Sequence, residues 1–542
     1  MKVYPGQGVS GGVCVGRAAV WSERTYAEED SQGQTELTAQ AHWERFLKSR
    51  DAARDALRTL YIQARENVGE QSAEIFDVQA MMLEDADFCQ AVRDAIFAQR
   101  LGAVAAVRRA GEQMAAMLGA MQDEYLRERA ADVKDIANRV IRHLTGGGQE
   151  DEWTLPPYPC ILCAKELTPA QTARLDRKRV LGFITAHGSA TSHTAIVARS
   201  MNLPALVGVG EEAIHALREG DTVALDAERG RMCIDPDETV LCEMEEQQAS
   251  ARRHRAAQER FRGRETRTAS GRQLYLYANA ALPEDVEAAR QGDAEGIGLF
   301  RSEFLYLGRE EAPSEEEQYR IYKDILERME GRRVIIRTLD IGADKQAGCL
   351  PQTGKEENPA LGCRAVRHSL LHPSLFLTQT KALLRASVHG RLAVMFPLIC
   401  SEQELRGILA LWDRARGEIG GGGEVERGIM IETPAAALIS DRLAGMVDFF
   451  SIGTNDLTQY TLAMDRQNEM LQPFLQPHHP AILALIRKTV DSAKAAGIWV
   501  GICGELGADF ELTETFVQMG VDELSVAPSQ ILALRKRIAE IK

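Results

Sequence analysis

Between residues 34 and 144 apolar side chains recur every three to four positions in a sequence rich in Ala, Leu, Glu, Arg and Met, and no proline falls between Pro5 and Pro156. This predicts a helical bundle, because these residues lose little freedom in a helix and the period gives each helix one apolar stripe to bury. The segment Ile75-Phe76-Asp77-Val78-Gln79-Ala80-Met81-Met82-Leu83 is more apolar than one stripe needs. It reads first as bundle core and second as a Met-rich surface for docking another protein.

From Tyr158 the texture changes to short apolar runs, at 160–164 and 180–185, separated by helical stretches and Gly/Pro punctuation, as in an α/β unit. The opening run at 9–19 adds a strand to that unit, so the bundle is an insertion into it. The stretch 236–264 is strongly charged and has no Gly before Gly263, which predicts an exposed linker helix. Beyond residue 266, β-like runs recur at 274–278, 297–300, 334–338, 392–396, 428–432, 449–453 and 499–503. They predict an eight-stranded βα barrel with one strand weakly marked, whose chemistry lies at the strand C-termini. Polar residues gather there: Arg301 and Glu303, Arg337 and Asp340, Glu432, Asn455 and Asp456, and Cys503.

Composition narrows the class. A chain of 542 residues is too long for one core. Its net charge of -15 argues against a nucleic-acid partner, whose phosphate backbone needs a basic face. No apolar run approaches a membrane span and no basic-then-apolar leader opens the chain, so membrane insertion and export are not expected and the cytosol is the default. Ten cysteines, mostly isolated in apolar segments, fit reduced thiols. The lone Cys160/Cys163 pair, set in an apolar run, reads as buried strand rather than zinc site.

In Gly188-Ser189-Ala190-Thr191-Ser192-His193-Thr194-Ala195-Ile196-Val197-Ala198-Arg199, the end of the run is helical in pattern and Thr191 or Ser192 can cap it. His193 then sits in the first turn, where the positive end of the helix dipole and the turn amides favour a phosphate. A nitrogen lone pair there is free to attack phosphorus. The stretch, continued through Gly208, resembles the phosphohistidine motif of the phosphoenolpyruvate-utilising enzymes, in which this His carries the phosphate. Thr172 matches a threonine that hydrogen-bonds it. Where that motif commonly has two glycines, this chain has Gly188 and Ser189.

Arg301 and Arg337 each end an apolar strand, and Arg364 and Arg466 lie in the later loops Asn358-Pro359-Ala360-Leu361-Gly362-Cys363-Arg364 and Asp465-Arg466. A small ligand with one phosphate and one carboxylate wants such planar, permanently charged forks. Glu432 and Asp456 each follow an apolar strand; with substrate oxygens they suit magnesium, general acid or base roles compete, and their spacing leaves both open.

The run Ser451-Ile452-Gly453-Thr454-Asn455-Asp456-Leu457-Thr458-Gln459-Tyr460, preceded by Val447-Asp448-Phe449-Phe450, closely resembles a signature of the enzyme I family of the sugar phosphotransferase system. With Gly501-Ile502-Cys503-Gly504-Glu505 the resemblance covers nearly the whole chain. It implies a multidomain α/β architecture: a phosphohistidine α/β domain at 1–25 and 146–232, an inserted helical domain at 26–145 that binds the carrier protein HPr, a linker helix at 233–265, and a (βα)8 TIM-type barrel at 266–542 that binds phosphoenolpyruvate (PEP) and dimerises. It implies transfer of the PEP phosphoryl group to His193 and then to a histidine of HPr, the first step of sugar uptake, with release of pyruvate. Arg301, Arg337 and Arg466 match the residues that hold the phosphate, with Arg364 and Asn455 beside them as substrate-binding residues. Glu432 and Asp456 match Mg2+ ligands, and Cys503 matches the cysteine that protonates the enolate. Arg129 matches the HPr-facing surface. Family members usually continue for one or more helices past the position of Lys542.

PEP synthase and pyruvate phosphate dikinase share both motifs but need a large nucleotide-grasp domain, for which no segment is left over. Gly420 to Gly423 lacks the Lys-Ser/Thr of a phosphate loop. A nitrogen-regulatory member would carry a sensory domain in front, whereas the α/β opening begins at Lys2. A silent PEP sensor has no need of His193, Arg337, Glu432, Asp456 and Cys503 together.

Overall fold

A computed structural model of the chain describes residues 1–21, 37–67, 70–119, 124–145, 155–167, 179–188, 193–201, 203–307, 309–342, 348–350, 356, 358–466 and 468–542. They form two compact units, Met1–Arg253 and His254–Lys542.

The first unit is built on an eight-stranded sheet in the order β1-β8-β7-β3-β4-β5-β6-β2. The opening residues supply three strands, β1 (Lys2–Pro5), β2 (Gln7–Ser10) and β3 (Val13–Trp21), where the apolar pattern predicts one. Pro5 and the glycines break the pattern, yet the fold needs Gly8: a side chain there would collide with the Ala227 carbonyl. β3 pairs in parallel with β4 (Cys160–Ala164), Arg17 opposite Cys160 and Trp21 opposite Ala164. Helices α1 (Ala39–Asn67), α2 (Glu70–Glu84), α3 (Ala86–Phe97), α4 (Ala103–Gly119) and α5 (Glu124–Leu144) all lie between those neighbouring strands in sequence. The bundle is therefore an insertion with its own core, including Phe46, Leu57, Phe76, Leu83, Phe88, Val107 and Val140. Phe76, Ala80 and Leu83 supply that core from the Met-rich segment, while Met81 of the same helix is exposed. Every residue of β4 is buried and both its cysteines are free thiols, as the apolar reading of the Cys160/Cys163 pair expects.

β5 (Val180–Thr185) leads to α6 (His193–Met201), and β6 (Ala205–Val207), β7 (Thr222–Asp226) and β8 (Arg231–Ile234) complete the sheet. The charged stretch after β8 forms one helix, α7 (Glu238–Glu259), which buries only Val240 and Met244.

The second unit is a closed parallel barrel of β9 (Tyr275–Ala280), β10 (Gly296–Arg301), β11 (Arg333–Arg337), β12 (Leu392–Phe396), β13 (Glu426–Ile431), β14 (Phe449–Ile452), β15 (Trp499–Ile502) and β16 (Glu523–Val526). β16 is the weakly marked strand. Alternate side chains fill the interior, where Tyr277, Leu299, Ile335, Met395, Met430, Phe449 and Cys503 pack together. Trp499 stacks on Phe449 at 4.3 Å toward the N-terminal end, its Nε1 donating to Glu426 at 2.9 Å. Among the described residues, no helix is long and apolar enough to cross a membrane.

Candidate active site

Adjacent strand ends bring acids and arginines together at the C-terminal mouth of the barrel. Arg301 ends β10 opposite Arg337, the last residue of β11; Arg301 is exposed at the rim, whereas Arg337 is buried. Arg337 donates from Nη2 to Glu303 Oε1 at 2.6 Å and pairs through Nη1 with Asp340 at 2.8 Å. Arg364, just before the helix Ala365–Leu371, donates to Asp340 Oδ1 at 3.0 Å and lies 3.9 Å from Asp456. Burial opposes the charge on both guanidiniums, but the neighbouring carboxylates outweigh it and hold both pKa values above the ordinary arginine range. Two buried cations shared among several acids in this way form a fixed network, in which removing one member leaves another charge uncompensated.

Glu432 follows β13 and is buried; its Oε1 accepts from the Leu398 backbone N–H at 2.6 Å. Leu398 has φ 52°, a left-handed conformation that is costly for a branched residue and that the fold tolerates beside this carboxylate. Burial, then the charges of Asp340 and Asp456, pushes the Glu432 carboxyl up to about 8 against the pull of Arg337. Gly453 leaves room beside it: a side chain there would begin 3.1 Å from Glu432 Oε2.

Asn455 and Asp456 occupy the first turn of α8 (Thr454–Leu462). Asn455 Nδ2 donates to Glu505 Oε1 and its Oδ1 accepts from the Glu505 N–H, each at 2.9 Å, which fixes the loop after β15. Tyr460 donates to the Ala360 carbonyl at 2.6 Å, tying α8 to the loop that carries Arg364. Arg466 reaches Asp456 at 3.6 Å. Cys503 sits just past β15, buried, its thiol 3.7 Å from the Ile452 carbonyl, and burial pushes its pKa up to about 12. In total the mouth joins Arg337, Arg364, Arg466, Glu432 and Asp456 in one charged network. The two acids at its centre, Glu303 and Asp340, are visible in the sequence as polar residues at strand ends, but nothing in the spacing marks them as partners of the arginines.

No cluster of three or more His, Cys, Asp or Glu that could hold a metal ion forms among the described residues. The donor set is instead two carboxylates whose mutual repulsion a divalent cation would relieve, with the remaining positions left for water and substrate oxygens.

In the first unit, His193 is the first residue of α6 and so lies in its first turn, as the helical pattern predicts. Ala195, Val197 and Ala198 of that helix pack into a core with Val9, Phe183 and Val207, and Arg199 Nε donates to the Val9 carbonyl at 2.9 Å. Thr172, Thr191 and Ser192 lie outside the described residues, and Arg129 falls within α5.

A helix that begins at His193 in one unit and an Arg/Asp/Glu mouth on a parallel barrel in the other fit the ground plan of a PEP-utilising enzyme. The models of that class match accordingly: its N-terminal domain over 5–129, its mobile domain over 156–230 and its PEP-binding domain over 255–542. The chain is 36% identical to the phosphoenolpyruvate-protein phosphotransferase of Staphylococcus carnosus, over all of this chain and 94% of that protein. It is 38% identical to the one from Haemophilus influenzae, over 98% of this chain and 93% of that protein. The chain belongs to the phosphoenolpyruvate-protein phosphotransferase family.

Proposed function

We propose that the chain takes the phosphoryl group of PEP onto His193 and passes it to a histidine of HPr, releasing pyruvate as the first step of sugar uptake in the cytosol. The observation that carries the reading is the buried Arg337–Asp340–Arg364 network opening toward Glu432 and Asp456, a site shaped for a small dianion and a hard cation. Arg301, Arg337, Arg364 and Arg466 would hold the phosphate and carboxylate of PEP, and Asn455 would orient it. Glu432 and Asp456 would hold Mg2+, which when bound supplies charge neutralisation on the transferring group.

His193 attacks phosphorus in line, with the turn amides of α6 receiving the phosphoryl oxygens. The enolate left behind takes a proton at its methylene carbon from the Cys503 thiol, which gives pyruvate. The inserted helical domain, through Arg129, would receive HPr, and the barrel would carry a homodimer contact. Incubation with PEP labelled in its phosphate tests the reading. The full chain with Mg2+ should gain an acid-labile, base-stable label without any nucleotide, and His193→Ala should gain none. A requirement for ATP, or labelling of the His193 variant, would end it.

A further inference from the structure

We propose that Glu523, one layer beneath Cys503 inside the barrel, resupplies the proton that Cys503 gives away, so that the thiol is restored from the barrel interior rather than from the substrate side. The inference rests on Cys503 being the proton donor. Glu523 opens β16, is 1% exposed, and neither carboxyl oxygen has a hydrogen-bond partner. A carboxyl buried for structural reasons is ordinarily paired, and even the half-buried Glu426 of the same barrel is, to Arg333 at 2.9 Å and to Trp499 at 2.9 Å.

The fold also makes space for it. A side chain on Gly501 would collide with Glu523 Oε2, and one on Gly298 would begin 2.5 Å from Oε1. Gly501 is the register partner of Glu523. Side chains alternate along a strand, so Gly501 and Cys503 share the interior face of β15, and Cys503 stands two residues toward the mouth from the strand position that Glu523 faces. Polar side chains also line the interior beside Gly298 and Cys503. The Ser525 hydroxyl, also 2.5 Å from the point where a Gly298 side chain would begin, donates to Asn279 Oδ1 at 2.8 Å, and Asn279 Nδ2 donates to the Cys503 carbonyl at 3.4 Å.

The charged groups whose fields act on Glu523 are Arg333 and its chain neighbour Asp522, and the Tyr277 phenol and the Cys503 thiol feel the Glu523 charge in turn. Burial outweighs the pull of Arg333 and raises the Glu523 carboxyl well above the ordinary range, which favours its protonated form. The step balances. The Cys503 S–H bond breaks as a C–H bond forms on the enolate, leaving a thiolate. The Glu523 O–H then gives its proton to sulfur and becomes a carboxylate, which takes back one proton from the solvent before the next cycle, so that net turnover consumes one solvent proton. A thiolate whose conjugate acid lies near about 12 takes that proton readily.

Two reactions of the full chain separate this role from a structural one. Exchange of labelled pyruvate into PEP with Mg2+ returns to Cys503 the proton it gave and needs no net supply, whereas turnover with HPr in excess consumes one proton per cycle. Glu523→Gln, an uncharged near-isostere, should leave exchange near the wild-type rate and slow net turnover by about tenfold to a hundredfold. Wild-type rates in both reactions would overturn the proposal, and so would a matching loss of both. Cys503→Ser separates the premise from the inference. If both reactions survive it, Cys503 is not the donor and the proposal falls with that reading; if both are lost while Glu523→Gln behaves as wild type, Glu523 alone is excluded. Infrared spectra of the wild-type chain with Mg2+ need no variant: a protonated-carboxyl C=O band should persist at neutral pH, and its absence would overturn the assignment.

Discussion

Arg337 donates from Nη2 to Glu303 Oε1 at 2.6 Å, and both side chains are buried at the barrel mouth. The pair sits between β10 and β11, so the cation that would hold the phosphate of PEP is also the counter-ion that lets Glu303, Asp340 and Glu432 be buried together. Arg337→Ala should therefore destabilise the barrel by about 3–5 kcal/mol besides abolishing PEP binding, because it leaves buried carboxylates uncompensated. Arg337→Lys should keep most of the stability and still lose affinity, since an ammonium cannot replace the planar fork. Denaturant unfolding and PEP titration on the same preparations check both, and unchanged stability in Arg337→Ala would remove the network argument.

His193→Ala should abolish phosphorylation of the chain while PEP binding to the barrel stays near wild type, because His193 and the mouth belong to different compact units. Calorimetry with PEP and Mg2+ measures this. Loss of binding along with labelling would place His193 in the substrate pocket itself.

Much of this arrangement is legible in the sequence, and the exceptions have physical causes. Seven barrel strands announce themselves because both faces of each are apolar. β16 does not, because its four residues include Glu523 and Ser525, both turned into the barrel, and Asp522 precedes it. β2 is hidden by Gly8, where a side chain would collide with the Ala227 carbonyl, and β1 by its four-residue length ending at Pro5. Arg337 and Arg364 are recognisable as anion-binding forks, but sequence spacing carries no sign that Asp340, 24 residues before Arg364, would lock both. The network is a product of tertiary closure, which brings distant strand ends within a few ångströms.

Magnesium affinity should depend on pH through Glu432. With its carboxyl pushed up to about 8, a proton competes with the cation across the neutral range. Apparent Mg2+ affinity should thus rise as pH rises toward about 8 and level off above it, each binding event below that point releasing a proton. Glu432→Gln should weaken Mg2+ binding and flatten the dependence, whereas Asp456→Asn should weaken binding and move the dependence to lower pH, because the Asp456 charge helps hold the Glu432 carboxyl up. Calorimetry in buffers of different ionisation enthalpy reads the proton release directly, and a flat wild-type profile would exclude Glu432 as a ligand.

Gly453 offers a way to disturb Glu432 without touching any charge. Its φ of -84° suits any residue, so alanine there meets no backbone strain. The new methyl would instead stand 3.0 Å from Glu432 Cβ, 3.0 Å from Met430 Sδ and 3.1 Å from Glu432 Oε2, closer than relaxed contacts allow. Glu432 is held from the other side by the Leu398 N–H and cannot retreat without losing that hydrogen bond. Gly453→Ala should therefore cost about 1–3 kcal/mol of stability by overpacking. It should also raise the Mg2+ concentration needed for half-maximal labelling, while PEP concentration dependence at saturating Mg2+ changes less. Gly445→Ala is the control, since a side chain there meets nothing within 4 Å. If both variants gave the wild-type Mg2+ titration, the position of the Glu432 carboxylate would not govern metal binding, and its assignment as a ligand would have to be given up.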